Sequence, residues 1–302
     1  MMIPVLLGVI FIVFAIMSLT PGDPARLILG PEAEQEAVLM LREELRLDYP
    51  MIVQFFYYIT DIIFRFDFGY SYRTRLPVFY EILARFPYTL ILAFVSVFVA
   101  SLIGIPLGML SAVKQHSILA DVIPRIVSIF LAAVPGFWLG MMFILLFALT
   151  LDWLPSSGIG TWQHYILPVT AISLPSAAFL LRISRATMLE TIRQDYIRTA
   201  RAKGASEKRV IFKHALNNAL LPVVNTLGGT LGMMLGGSII AESVFAVPGL
   251  GLMMMSAIRV QDIPMVMAGT VFLSIIFCVV ILITDLAFGI VDPRVRERIR
   301  RS

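Results

Sequence analysis

Charge is scarce in this sequence: Asp, Glu, Lys and Arg make up 15% of its 302 residues, against 59% hydrophobic. With a mean hydropathy of +0.88, this excludes a water-soluble globule, whose surface would be apolar and would aggregate. Cysteine is almost absent, and the single Cys278 excludes a disulfide framework. The three histidines, His116, His164 and His214, fall in separate loops, and no metal site follows from that spacing. Enzyme motifs are missing too: there is no G-x-x-x-x-G-K-[ST] phosphate loop, no G-x-S-x-G elbow and no H-E-x-x-H. Ser156 and Ser157 lie near His164, but a Pro-Ser-Ser-Gly run after Trp-Leu reads as loop, not as a hydrolase centre.

What the chain has instead is long stretches free of Asp, Glu, Lys and Arg. Six of them, 1–22, 86–113, 126–151, 153–181, 214–241 and 263–284, are each long enough to cross a bilayer, which needs roughly 20 apolar residues at 1.5 Å each. The fourth opens with "WLPSSGIGTWQHY", whose Pro, Ser and Gly predict a loop and a helix start near Tyr165. The expectation is an all-α polytopic membrane protein of six transmembrane helices.

Positive charge sets the orientation, because short loops rich in Lys and Arg stay cytoplasmic. With the N-terminus inside, the inner segments hold 16 of the 24 Lys and Arg: Lys114 and Arg125, nine between Arg182 and Lys213, and five in the C-terminal tail. Seven of the other eight lie in the long segment from Thr20 to Arg85, and the short outer loops hold only Arg259. Both termini and the basic loop are thus expected in the cytoplasm of a multi-pass cell-membrane protein. A signal peptide is the rival reading of the first stretch, but there is no basic flank and "SLTPGDPA" is a poor cleavage site, so a retained helix is expected.

Three features organise the rest. The outer segment places Val38, Leu41 and Leu45 on one helical face, then Pro50 opens a second segment rich in Phe, Tyr and Ile, expected to lie along the outer surface. Glycines recur at four residues: Gly104 and Gly108, Gly136 and Gly140, and the run Gly228, Gly232 and Gly236. Such spacing lets helices approach closely; within-chain packing explains most of it, while three in one helix suggest a central or inter-subunit helix. Asp285 near the end of the last crossing reads as structural, since no second intramembrane charge is there to relay a proton.

The densest charge lies in "QDYIRTARAKGASEKRV", 194–210, with five Lys or Arg and two acidic residues. On a helix, Ile197, Ala200 and Gly204 share a face of small side chains while Arg198, Arg201 and Lys208 point elsewhere. A basic segment that only enforces topology would not need Gly204, which costs about 1 kcal/mol inside an exposed helix. A turn or a close contact is expected there.

The stretch "QDYIRTARAKGASEKRVIFKHALNNALLPV" resembles the cytoplasmic EAA loop of permease subunits of ATP-binding-cassette importers, in the form found in the dipeptide, oligopeptide and nickel branch. "TPGDP", "LRLDYPMIVQF", "FDFGYSYRTRLPV", "RFPYTL", "ESVFAVPGLG" and "VDPR" resemble the same branch in order and spacing. The EAA triplet corresponds to Arg198, Thr199 and Ala200, keeping only the last alanine, and the motif glycine to Gly204. The I-x-L-P segment reads His214, Ala215, Leu216 and Asn217 without its proline. The chain also departs at its start, Met1-Met2-Ile3, where the family carries a flank ending in Arg-Arg; this bears on how the first helix is anchored.

The resemblance implies a type I importer permease fold in three parts: 1–85, the first helix and outer segment; 86–291, five further helices with a coupling loop at 182–221; and 292–302, a basic tail. It implies that Arg198, Ala200, Arg201 and Gly204 contact an ATPase subunit, the small residues for close approach and the arginines for carboxylates. It implies a homologous second permease subunit, two ATP-binding subunits that carry ATP and magnesium, and an extracytoplasmic substrate-binding protein, with no cofactor, catalysis or nucleic acid on this chain. The implied cargo is a di- or oligopeptide, with nickel, glutathione and oligosaccharide as alternatives. A stand-alone secondary transporter would call for intramembrane charges or inverted repeats, and neither is visible.

Overall fold

Helix α1 (Met2–Leu19) is apolar on nearly every side and ends before Thr20-Pro21-Gly22, a run unsuited to continuing it. The structure is a computed structural model that describes residues 2–291; among them no strand forms, only an isolated bridge between Tyr70 and Pro77. Asp23 then caps α2 (Pro24–Leu29), its carboxylate accepting the Ala25 N–H at 3.1 Å, with Pro24 at the first helical position where no N–H is needed. Helix α3 (Gln35–Glu44) buries Val38, as the periodicity predicts, and Pro50 opens the amphipathic α4 (Met51–Arg65).

Helix α5 (Val78–Val113) begins the long apolar elements. A π-helical turn, Ile118–Val122, leads into α6 (Ile123–Ala133), then α7 (Gly136–Phe143) and a second π-helical stretch, Ile144–Thr150. After a 3₁₀ turn at Trp162–Tyr165, α8 (Ile166–Ile192) starts where the loop composition predicts. Helices α9 (Asp195–Ala202), α10 (Glu207–Arg209) and α11 (Leu216–Gly237) carry the chain through the basic segment and back into apolar sequence. Helices α12 (Ile239–Val244), α13 (Leu250–Arg259) and α14 (Ile263–Val291) complete the described chain.

Four of these elements are long and apolar enough to cross a membrane: Val78–Val113, Trp162–Ile192, Glu207–Gly236 and Ile263–Leu286. The stretch expected as one crossing at 126–151 is different. It is a pair, Ile118–Ala133 and Gly136–Thr150, bent by 99°. The cause is local: Pro135 forces Val134 into extended backbone (φ −83°, ψ 127°) and cannot donate to the preceding turn. Helix α1, at 18 residues and about 27 Å, is somewhat shorter than the hydrocarbon core.

The chain forms two compact units. In the first, Pro248–Cys278 joins the N-terminal segment through Thr89. Its core gathers Ile10, Phe14, Val78, Ile82, Leu250 and Met267. The buried Asp262 pins the 70–77 loop: it accepts the Ser71 hydroxyl at 2.5 Å and the Tyr72 N–H at 3.1 Å. Burial, with Asp262 adding to it, holds the Tyr72 phenol above its usual pKa.

The second unit comprises Leu90–Val247 and the described part of α14 from Val279. Here α5 and α8 touch backbone to backbone. A Cβ on Gly104 would come within 2.5 Å of the Ala177 carbonyl oxygen, and one on Gly108 would strike the Leu181 carbonyl. Those glycines serve packing within the chain.

Candidate coupling surface

The basic segment is a short helix held between two turns. Helix α8 continues beyond its charge-free stretch to Ile192; Gln194 then turns extended (φ −69°, ψ 150°) and starts α9. The helix ends at Ala202, and Gly204 takes φ +80°. Two hydrogen bonds close that end: the Gly204 N–H donates to the Arg201 carbonyl at 2.9 Å, and the Ala205 N–H to the Ala200 carbonyl at 3.2 Å. This is the Schellman pattern, whose left-handed residue is glycine because any L side chain there costs about 1–2 kcal/mol.

Gly204 therefore lies just past the helix, and the requirement for it is the turn. A Cβ there would meet nothing of this chain within 4 Å. The residue is exposed, with room for another molecule against it.

Of the small face expected to dock outward, Ile197 and Ala200 turn inward and only Gly204 stays exposed. Ile197 is fully buried in a core made by Met109 and Ala112 of α5, Met188 of α8, and Val210, Ala215, Ala219 and Val223 leading into α11. Ala200 and Ala205 are half-buried against the same core. With its apolar stripe so occupied, α9 presents Asp195, Tyr196, Arg198, Thr199 and Ala202 to the outside, and Lys203 just past its end is exposed as well. Ala200 can reach a partner only along its edge.

The two arginines also differ. The Arg201 guanidinium donates to both Glu207 carboxylate oxygens, at 2.7 and 3.4 Å, spanning the Gly204 turn. It already has a carboxylate within this chain. Arg198 is the more available, its side chain 75% exposed and 3.7 Å from Asp195, itself open to solvent. Lys208 is exposed.

The glycine run of α11 divides. A Cβ on Gly228 would strike the Thr284 side chain of α14; Gly232 is buried; Gly236 is exposed with nothing within 4 Å. Each four-residue step turns about 40° around a helix of 3.6 residues per turn, so a contact face at Gly228 has rotated away by Gly236. Asp285 is exposed on this chain.

A buried carboxylate carries an ion pair that the charge-free runs and loop charges do not reveal. Asp121, 1% exposed, accepts from Arg185 Nε at 2.8 Å, from the Ser111 hydroxyl at 2.7 Å and from the His116 N–H at 3.1 Å. Arg185 counts only toward topology in a charge census, yet a lone acid inside "ILADVI" was a signal that a buried partner must exist. Among the described residues no three His, Cys, Asp or Glu side chains gather as metal ligands.

A family model described as "Binding-protein-dependent transport system inner membrane component" matches residues 104–297, and one for the N-terminal part of such membrane components matches residues 1–93. The glutathione transport system permease protein GsiC of Salmonella choleraesuis (strain SC-B67) is 40% identical over 297 residues, covering 98% of this chain and 96% of the relative. Its namesake in Escherichia coli (strain K12) is 39% identical over the same span. Among solved structures, an inward-facing form of the MetNI methionine ABC transporter superposes with a TM-score of 0.61 at 22% identity, over 72% of this chain and 98% of that one. A crystal structure of an amino acid ABC transporter with histidines gives 0.55 at 16% identity, over 72% and 94%. At those identities the likeness concerns the fold.

Proposed function

We propose, for a chain that belongs to the family of binding-protein-dependent transport system inner membrane components, that α9 is the helix through which ATP hydrolysis drives transport. The chain is the permease component of an ATP-binding-cassette importer in the inner membrane, a system that also comprises ATPase and binding-protein components. ATP and magnesium belong, in our reading, to two separate ATPase subunits, and a second homologous permease completes the path. The basic loop and both termini face the cytoplasm.

The observation that carries this reading is the burial of Ile197. One face of α9 is fixed on side chains from α5, α8 and the helix into α11, while the opposite face is polar and exposed. Packed interiors compress little. A displacement applied to the exposed face is therefore passed to three long helices together, as a rigid-body shift between inward-open and outward-open arrangements requires. Arg198 and Lys203 supply cations for carboxylates on the ATPase, and Gly204 leaves space for close approach.

The cargo we assign is a short peptide. Glutathione, which the relatives' names give as their cargo, is a tripeptide and falls within that class. The test is the assembled importer in liposomes with Arg198→Glu and Lys203→Glu. Both should abolish the stimulation of ATP hydrolysis by the binding protein while insertion of the chain stays normal. Stimulation equal to wild type in both would remove α9 as the contact.

A further inference from the structure

Two prolines from separate helices border one groove. Pro135 separates α6 from α7, and Pro175 lies inside α8. Neither has an N–H, so the carbonyls four residues earlier, of Leu131 and Ala171, receive no helical donor from them. Between these points opens a groove of about 340 Å³, bordered by Pro135, Gly136, Ala171, Pro175, Ala241 and Phe245. Its wall narrows at Gly140, where a Cβ would stand 3.1 Å from the Phe245 ring.

A break in the backbone at membrane depth leaves polar groups that lipid cannot satisfy. It is tolerated where it is buried in protein or lines a water-filled cavity. The break at Val134 and Pro135 sits within an apolar pair bent by 99°, and residues 135–138 are exposed on this chain. Its own protein does not cover it.

We propose that this groove is the part of the translocation path contributed by this chain, and that it takes a short peptide in extended form. The inference rests on the importer reading above. No lining side chain is charged, so a divalent cation meets neither carboxylate, thiolate nor imidazole. The carbonyl of Ala171, which borders the groove and is left without a helical donor by Pro175, accepts from a peptide N–H, and the apolar walls accommodate side chains. The volume lies at the small end of ligand pockets, suited to two or three residues. Without an ionic anchor the cargo is held weakly, and conduction needs a site that is easy to leave.

The assembled importer in liposomes, with Cys278→Ser, tests this through Gly136→Cys, Ile240→Cys and, as a control on α6, Ile129→Cys. A membrane-impermeant methanethiosulfonate should modify the first two at least about ten-fold faster in one of the ADP and vanadate-trapped states than in the other. The control should stay unreactive in both. Millimolar trialanine or S-methylglutathione should slow the reaction at least about three-fold, and maltotriose or nickel chloride should not. Cysteines unreactive in both states would mean that lipid or another helix covers the groove, and equal rates in both would mean that it does not gate; either overturns the proposal. Protection by maltotriose or nickel alone overturns the peptide assignment. ATP hydrolysis stimulated by the binding protein is measured on the same liposomes: if it is intact, such results sink the groove alone, and if it is absent in the parent the importer reading falls first.

Discussion

Arg185 on α8 and Asp121 in the turn before α6 are 64 residues apart and meet at 2.8 Å. With the Ser111 hydroxyl also on Asp121, this pair braces the end of α5, the turn before α6 and the second half of α8. Removing one partner of a buried pair costs about 3–5 kcal/mol. Arg185 keeps some solvent contact and Arg125 lies 3.4 Å from the same carboxylate, so about 2 kcal/mol is expected for Asp121→Asn. Its melting midpoint in detergent should fall by several degrees, and the swap Asp121→Arg with Arg185→Asp should recover part of the loss. A wild-type midpoint for Asp121→Asn would show that the brace contributes nothing.

Gly204 at φ +80° predicts a graded series. Gly204→Ala should weaken the end of α9 by about 1–2 kcal/mol, Gly204→Asn by less, and Gly204→Val by more. Amide exchange over 199–205 should quicken about 5- to 30-fold in the alanine variant, by the conversion of 1.4 kcal/mol per ten-fold. Unchanged exchange would mean that the turn does not depend on glycine. Because a Cβ meets no atom of this chain, any loss of ATPase binding beyond that strain reports the partner.

The glycines of α11 should separate by function. Gly228→Leu drives a side chain into Thr284 and should reduce the yield of folded, monodisperse chain on its own. Gly236→Leu projects into space that this chain leaves empty, so the chain should fold normally, and any loss would fall on association with the second permease proposed above. Equal yields of Gly228→Leu and wild type by size-exclusion chromatography would contradict the α11–α14 contact.

Asp262 holds the loop that carries Arg73 and Arg75 through bonds from Ser71 and the Tyr72 and Arg73 N–H groups, the last at 3.4 Å. Asp262→Asn replaces one carboxylate oxygen by an N–H₂ that cannot accept, and each lost charged hydrogen bond is worth about 1.5–3 kcal/mol. Trypsin should cut at Arg73 or Arg75 markedly faster in that variant, read by mass spectrometry of the fragments. Resistance equal to wild type would show that the loop is held by other contacts.

Much of the architecture was legible in composition and local order. Charge-free runs mark the four long apolar spans, Pro50 marks the start of α4, and the loop residues before Tyr165 that of α8. These follow from terms that act over a few residues: apolar transfer, a missing N–H, a turn-forming composition. The bend at Pro135 was equally local, and a scan for charge alone passed over it. Which face of a helix meets what is another matter. Ile197 turns inward because Met109, Met188 and Ala219, brought from far along the chain, offer it an apolar seat; Gly228 meets α14 and Gly236 does not because helical rows rotate; Asp121 is paired because Arg185 arrives from 64 residues away. The sequence by itself determined which segments leave water and where helices begin and stop, since those energies are local. The tertiary structure alone decided which side chains are buried together and which stay free for a partner, because contact energies exist only once distant segments are packed.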